Sequence, residues 1–271
     1  MWRLRHLPLG ILCLALSGCA ALETNTGRLS SSNPMPAEHL ADAQSREQKG
    51  FWAGLWGDYK QMYTPDTWCK MWVGLAVACT LANTSADQDV GDWYQRSVRN
   101  SSTDSFSHFT KTFGDQWYPV ALYSAITLLH RWPEDDDGLG RFGEWGERSL
   151  RGLAVGGPLV GAVQVITGGS RPTEYGSEWR PFHDAHGASG HTFVGATGFL
   201  TAAQMVDNMP LKVGLYAGSF LCGFSRINDD AHYISQVGLG WLIAYLSVSS
   251  VSRNLSGYTI APNGVAYTVH F

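Results

Sequence analysis

The chain has 271 residues, of which 44% are apolar and 15% charged, and carries a formal charge of −4. That length accommodates one large domain with its own core. The acidic balance argues against a nucleic-acid partner, which would call for a basic surface. Trp, Tyr and Phe number eleven each, suiting a packed helical core and equally a surface at the level of lipid headgroups.

At the N-terminus, Arg3 and Arg5 form a basic segment, Leu7–Leu16 an apolar one, and Leu16-Ser17-Gly18-Cys19 a cleavage site. The pattern resembles a bacterial lipoprotein signal. That resemblance implies removal of residues 1–18, lipidation of Cys19 and export; an ordinary secretory signal cut near Ala20 or Ala21 leads to export as well. Ala20 is not the Asp associated with inner-membrane retention of Gram-negative lipoproteins, so an outer-membrane lipoprotein facing the periplasm is implied. Residues 19–49 are polar and read as a flexible tether, with a root-mean-square span of roughly 30 Å. With Cys13 and Cys19 set aside, Cys69, Cys79 and Cys222 remain, an odd number and so no complete disulfide framework. Cys69 and Cys79 are open to bridging or to remaining as buried thiols among apolar neighbours. No spacing reads as a zinc site.

From residue 50 the sequence predicts an all-α, multi-helix bundle over 50–253, closed by a short β-hairpin over 254–271. Phe51–Tyr63 is aromatic and predicts a short helix, and Trp68–Asn83 an apolar one. Asp87–Arg99 has acids at its start, where a helix N-terminus favours them, and Val90, Trp93, Tyr94 and Val98 at helical spacing. Phe106, Phe109 and Phe113 form a stripe expected to face the core. Trp117–Arg131 predicts another apolar helix. Trp132–Gly143, with Pro133 and three consecutive Asp, reads as an exposed loop. Glu144–Thr167 becomes apolar along its length, with a kink expected at Gly156-Gly157-Pro158. Arg171–Gly187 reads as a loop. Gly190–Met205, Leu211–Phe224 and His232–Val251 are each predicted as helices. Pro262-Asn263-Gly264 separates two alternating runs, a hairpin signal. His232–Arg253 comes nearest to a membrane span. It opens on a polar stretch, however, and with a mean hydropathy of −0.12 the expectation is a soluble domain tethered to the membrane.

The chemistry gathers in three clusters, Arg171-Pro172, Ser189-Gly190-His191, and Ser225-Arg226 followed by His232. Phosphoryl transfer needs cationic donors around the equatorial oxygens, a nucleophile in line and an acid for the leaving group. Arg171 and Arg226 suit the first task, because a guanidinium stays charged and grips phosphate bidentately. Ser189 adds a hydroxyl, and the turn ahead of a helix adds backbone N–H donors. Gly190 permits close approach of the backbone. His191 and His232 suit the acid and the nucleophile.

In order and spacing these clusters resemble the motifs of the type 2 phosphatidic acid phosphatase superfamily, which includes bacterial acid phosphatases, lipid phosphatases and vanadium-dependent haloperoxidases. The family motifs are Lys-x6-Arg-Pro, Pro-Ser-Gly-His and Ser-Arg-x5-His-x3-Asp. Arg171-Pro172 matches the end of the first. Ser189-Gly190-His191 matches the second, with Ala188 in place of Pro. Ser225-Arg226 and His232 match the third. The resemblance implies a helical fold and a phosphohistidine on His232. It implies that His191 acts as acid and then base, and that Arg171, Ser189, Gly190 and Arg226 hold the phosphoryl oxygens. No metal or cofactor is implied, and the expected partners are a phosphorylated lipid or small phosphomonoester and, through Cys19, a membrane.

Two positions depart from the pattern. Gln164 stands at the family Lys, where it still offers hydrogen bonds to substrate but no charge. Gln236 stands at the family Asp, where its carbonyl can orient His232 without stabilising an imidazolium. One charge of each sign is gone, as in a matched pair of changes. Asp229, Asp230, Glu174, Asp184, His183 and His186 are candidate substitute partners. The alternative is a weakened or inactive phosphate-binding envelope lipoprotein of the same fold. A third reading is a vanadate-dependent haloperoxidase, against which the same two departures weigh.

Overall fold

Ser, Thr and Asn caps divide the sequence into the helices of the fold. A computed structural model describes residues 51–115, 117–130, 137–174, 176–255, 259–261 and 264–266. The signal at 1–18, Cys19 and the tether over 19–49 lie outside the described residues.

Helix α1 (Phe51–Met62) is followed by Thr64, which caps α2 (Pro65–Ala82) with Pro65 at its first turn. Next come α3 (Ala86–Ser97) and α4 (Ser101–Thr110). A capping box between Asn100 and Thr103 starts α4. A 3₁₀ turn, Lys111–Gly114, leads towards α5 (Trp117–His130). The long α6 (Asp137–Thr167), then α7 (Gly190–Met205), α8 (Met209–Gly218), α9 (Leu221–Asn228) and α10 (Ile234–Leu255) complete the bundle. Strands β1 (Thr259–Ala261) and β2 (Gly264–Ala266) pair antiparallel, Thr259 opposite Ala266. The class is all-α, as the periodicity predicts.

Several local expectations change. The exposed loop expected over Trp132–Gly143 is helical from Asp137, and α6 continues as one helix through Gly156-Gly157-Pro158, where the sequence predicts a kink. The single helix expected over Leu211–Phe224 is two, α8 and α9. The chain turns at Ser219, whose hydroxyl donates to Tyr216 O at 2.6 Å and accepts from Trp241 Nε1 at 2.8 Å. The phenylalanine stripe is not core. Phe106 is 47% and Phe109 62% exposed, the first ring tilted against Phe224 and the second edge-on to Phe113. Cys69 and Cys79 are free and exposed, not buried. Both lie on α2, where ten residues of helix separate them by about 15 Å, beyond disulfide reach.

Helix α10 lies at the centre, packed by α1, α2, α6 and α7. Leu239, Ile243 and Leu246 of α10 meet Val155 and Val163 of α6, Phe193 and Leu200 of α7, and Met62 and Met71 of α1 and α2. One buried polar knot fixes this arrangement. Arg151 Nε and a terminal N–H donate to the two oxygens of Asp58 at 2.7 and 2.9 Å, and Asn254 Nδ2 adds a third bond at 2.8 Å. It joins α6, α1 and α10. By length and composition, Gly140–Thr167 and Ile234–Leu255 are both apolar enough to cross a membrane; 67% of the apolar stretch of α10 is buried inside the protein.

Candidate active site

The three clusters meet at the N-terminal end of α10. Ser189 caps α7. It is fully buried, and its Oγ accepts from Thr192 N at 3.3 Å and pairs with Thr192 Oγ1 at 2.9 Å. The first-turn amides of Gly190 and His191 have no acceptor within their own helix and present a positive helix end. The turn is held from α10, because Ser189 N donates to Gln236 O at 2.9 Å. Gly240 makes the approach possible: a Cβ there would lie 2.3 Å from Ser189 O.

The loop between α6 and α7 starts at Gly168, in the left-handed region with φ of 60°, where a Cβ would strike Arg180 O. Ser170 is buried and Arg171 exposed at the rim. Arg226, on α9, is buried. It donates to Asp229 Oδ2 at 2.9 Å, and Ser107 holds Asp229 Oδ1 at 2.6 Å. Asp229, a candidate substitute partner for His232, therefore serves Arg226 instead. Asp230, at φ of 54°, turns the chain so that His232 N donates to Arg226 O at 3.2 Å.

His232 precedes α10. Its Nδ1 is 2.8 Å from Gln236 Oε1. That same oxygen accepts from Tyr233 N at 3.2 Å, and Gln236 Nε2 donates to Ser170 O at 2.8 Å. A backbone N–H only donates and a backbone carbonyl only accepts, so the two together fix which way the Gln236 amide faces. Its oxygen is turned to His232, Nδ1 carries the proton, and Nε2 keeps its lone pair.

Burial pushes His232 down to about 4, partly opposed by the Gln236 hydrogen bond and reinforced by the His186, Arg171 and Arg226 charges. His191 is lowered too, by partial desolvation and then by Arg226, with Asp115 pulling the other way and Arg171 and Lys111 adding to the fall. Both imidazoles thus lie in the field of the same two arginines. Gln164 is placed differently. Its Nε2 donates to Ala188 O at 2.9 Å, bracing the turn before Ser189, and it lies within van der Waals reach of a Cβ built on Gly190.

Four contributors carry no local signal in the sequence. Asp87 reads there as an acid at the start of its own helix. In the fold it is buried and accepts from Ser235 N and Ser235 Oγ, capping α10 beside His232. Ser170 supplies its carbonyl to Gln236. Lys111 and Asp115 flank His191 from the segment around the 3₁₀ turn.

A family model described as the PAP2 superfamily matches residues 148–257. No curated protein and no solved structure matches the chain. The matched stretch runs from within α6 to just past the end of α10 and contains Gln164, Arg171, Ser189, Gly190, His191, Arg226, His232 and Gln236. Over residues 148–257 the chain is thus similar to the PAP2 superfamily, a phosphatase-type superfamily.

Proposed function

We propose that the protein is an envelope phosphatase that hydrolyses a phosphomonoester or a lipid (pyro)phosphate through a phosphohistidine. One observation carries the reading: the Gln236 amide fixes His232 in the tautomer that leaves Nε2 unprotonated, within the field of Arg171 and Arg226. Nε2 attacks phosphorus, forming an N–P bond while the bond from phosphorus to the leaving oxygen breaks. His191 gives its proton to that oxygen. It then takes a proton from water, whose oxygen attacks phosphorus and returns His232 with release of phosphate. Arg171, Arg226, Ser189 and the α7 amides offset the charge on the phosphoryl oxygens.

An apolar groove of about 450 Å³ favours a lipid substrate. Trp117, Val120, Leu153, Val160 and Phe193 line it, together with Gln164 and Gly190. A chain seated there places its phosphate towards the α7 N-terminus. A protein lipidated at Cys19 and tethered to the periplasmic face of the outer membrane would meet such a substrate.

The test is turnover of a panel of phosphorylated lipids and soluble phosphomonoesters by the full chain, with His232→Ala as control. Turnover abolished in His232→Ala is expected. If nothing is hydrolysed while phosphate or vanadate still binds, the phosphatase reading fails. The neutral Gln164 and Gln236 would then mark a phosphate-binding envelope protein.

A further inference from the structure

We infer that α3 and α4 form a clamp that sets Arg226 and His232 for a phosphoryl ligand, with Asn228 and Ser107 as its positioning residues. The chain leaves α9 after Asn228 and reaches α10 only at Ile234. Between them, Arg226 O accepts from both Ala231 N at 2.9 Å and His232 N at 3.2 Å. Arg226 and His232 therefore share one turn, and whatever moves that turn moves both.

Three ties hold the turn from outside. Gln95 Nε2, on α3, donates to Ile227 O at 2.8 Å. Ser107, on α4, donates to Asp229 Oδ1 at 2.6 Å, while Asp229 Oδ2 accepts from Arg226. Asn228 is fully buried and uses both ends of its amide. Its Oδ1 accepts from Tyr94 Oη at 3.0 Å, and its Nδ2 donates to Asp104 Oδ1 at 2.8 Å. An ionised carboxylate only accepts, so Asp104 fixes which way that amide faces. The hydrogen bonds from Asn228 and Arg99 hold Asp104 below the ordinary carboxylate range, which keeps it ionised. Phe224 completes the contact, its ring edge-on to Tyr94 and tilted against Phe106.

Asn228 and Ser107 are both fully buried, so no water replaces a partner that is lost. Both are also neutral. Their replacement by Ala leaves the charge of the site as it is, and any effect on a bound anion comes through geometry. That geometry matters because a guanidinium grips phosphate through a directional fork, and a binding group must be held within roughly 0.5 Å of its productive position. Helices α3 and α4 precede the matched residues 148–257, so the clamp is legible only in the tertiary structure. Its effect on turnover rests on the phosphatase reading; its effect on anion binding does not.

The experiment is a calorimetric titration of the full chain with inorganic phosphate, paired with chemical denaturation. The variants are Asn228→Ala, Ser107→Ala and Tyr94→Phe, the last removing one oxygen. Tyr59→Phe is the comparison, since it removes a bond to Ala154 O at 2.8 Å between α1 and α6. The phosphate Kd should rise at least tenfold in Asn228→Ala and Ser107→Ala, and several-fold in Tyr94→Phe. Adding Tyr94→Phe to Asn228→Ala should change little further, because both break the same tie. Tyr59→Phe should lose stability with the phosphate Kd unchanged. Should Asn228→Ala fail to fold, Tyr94→Phe decides. A Kd unchanged in the folded clamp variants, or raised equally in Tyr59→Phe, overturns the clamp, as does a wild type that binds no phosphate. Phosphatase assays separate the two readings. A KM that rises with the phosphate Kd supports both. Turnover in a wild type whose clamp variants bind and react normally removes the clamp and leaves the phosphatase. Phosphate binding weakened as expected, with no turnover of any substrate, leaves the clamp and removes the phosphatase.

Discussion

Gln236 Oε1 lies 2.8 Å from His232 Nδ1 while the same side chain donates to Ser170 O. A neutral amide thus performs the orienting task of a carboxylate and adds a bond that a carboxylate cannot make. An Asp is one methylene shorter, and neither Asp nor Glu, when ionised, can donate to a carbonyl. The residue locks the α6–α7 loop to α10 as well as the tautomer of His232.

Replacing Gln236 by Glu should therefore have two opposed effects. A carboxylate against Nδ1 favours the imidazolium and raises the His232 pKa. It also faces the Ser170 carbonyl with no proton to give, which costs about 1–3 kcal/mol of stability. Imidazole titration by NMR and chemical denaturation read the two separately. Gln236→Ala should lose stability without raising the pKa, and turnover should fall at least tenfold as His232 loses its orientation.

The depressed histidines set the pH dependence. Folded His232 takes up a proton only near 4, against an ordinary value of 6.5. Between those values the unfolded chain binds more protons than the folded one. Stability is thus fully present above 6.5 and is lost as pH falls towards 4, by on the order of 3 kcal/mol. His191 shifts in the same direction. Denaturation curves from pH 7 to 4 should show this slope, and His232→Asn should flatten most of it. On the phosphohistidine mechanism proposed above, His232 must be unprotonated and His191 protonated. The rate should rise through about pH 4 and fall below the ordinary histidine value, an acidic optimum visible in kcat/KM.

The groove admits a sharper test of substrate class. Gly157 and Gly161 line it, and a Cβ on either meets nothing within 4 Å. Gly161→Leu therefore projects a side chain from an open Cβ position into the groove and removes a helix-interior glycine, worth about 1 kcal/mol of helix propensity. KM for a long-chain lipid phosphate should rise several-fold, with little change for a short soluble phosphomonoester. An equal change for both would show that no chain lies in the groove.

Arg151 and Asp58 carry structural weight away from the chemistry. Removing one partner leaves a charge buried among α1, α6 and α10. Arg151→Met should cost about 3–5 kcal/mol, measured by denaturant midpoint. Arg151→Met combined with Asp58→Leu should recover much of the loss, since an apolar pair leaves no stranded charge.

Gly240→Ala probes the seat of the α7 turn. The added methyl meets Ser189 O, so Ser189, Gly190 and His191 must shift. Turnover should drop at least tenfold while helicity by circular dichroism stays near wild type.

The sequence by itself determined the class of the fold and marked the residues to which the chemistry is assigned. Helical periodicity, caps and turn residues are local, and Arg171, Ser189-Gly190-His191 and Ser225-Arg226 with His232 stand at spacings legible in a linear chain. Local signals placed boundaries less well. They joined α8 to α9, because the turn at Ser219 is held by Trp241 from another helix. They assigned the Phe106 stripe to the core because periodicity names a face and not its neighbour. Only the tertiary structure decided who serves whom. It gave Asp229 to Arg226, Asp87 to the start of α10, Gln164 to the Ala188 carbonyl, and the Ser170 carbonyl to Gln236. Apart from Arg226 and Asp229, which sit together at the end of α9, these pairings join residues from different parts of the fold, far apart in the chain. Each is settled by directional hydrogen bonds that form only once burial has brought both partners out of water.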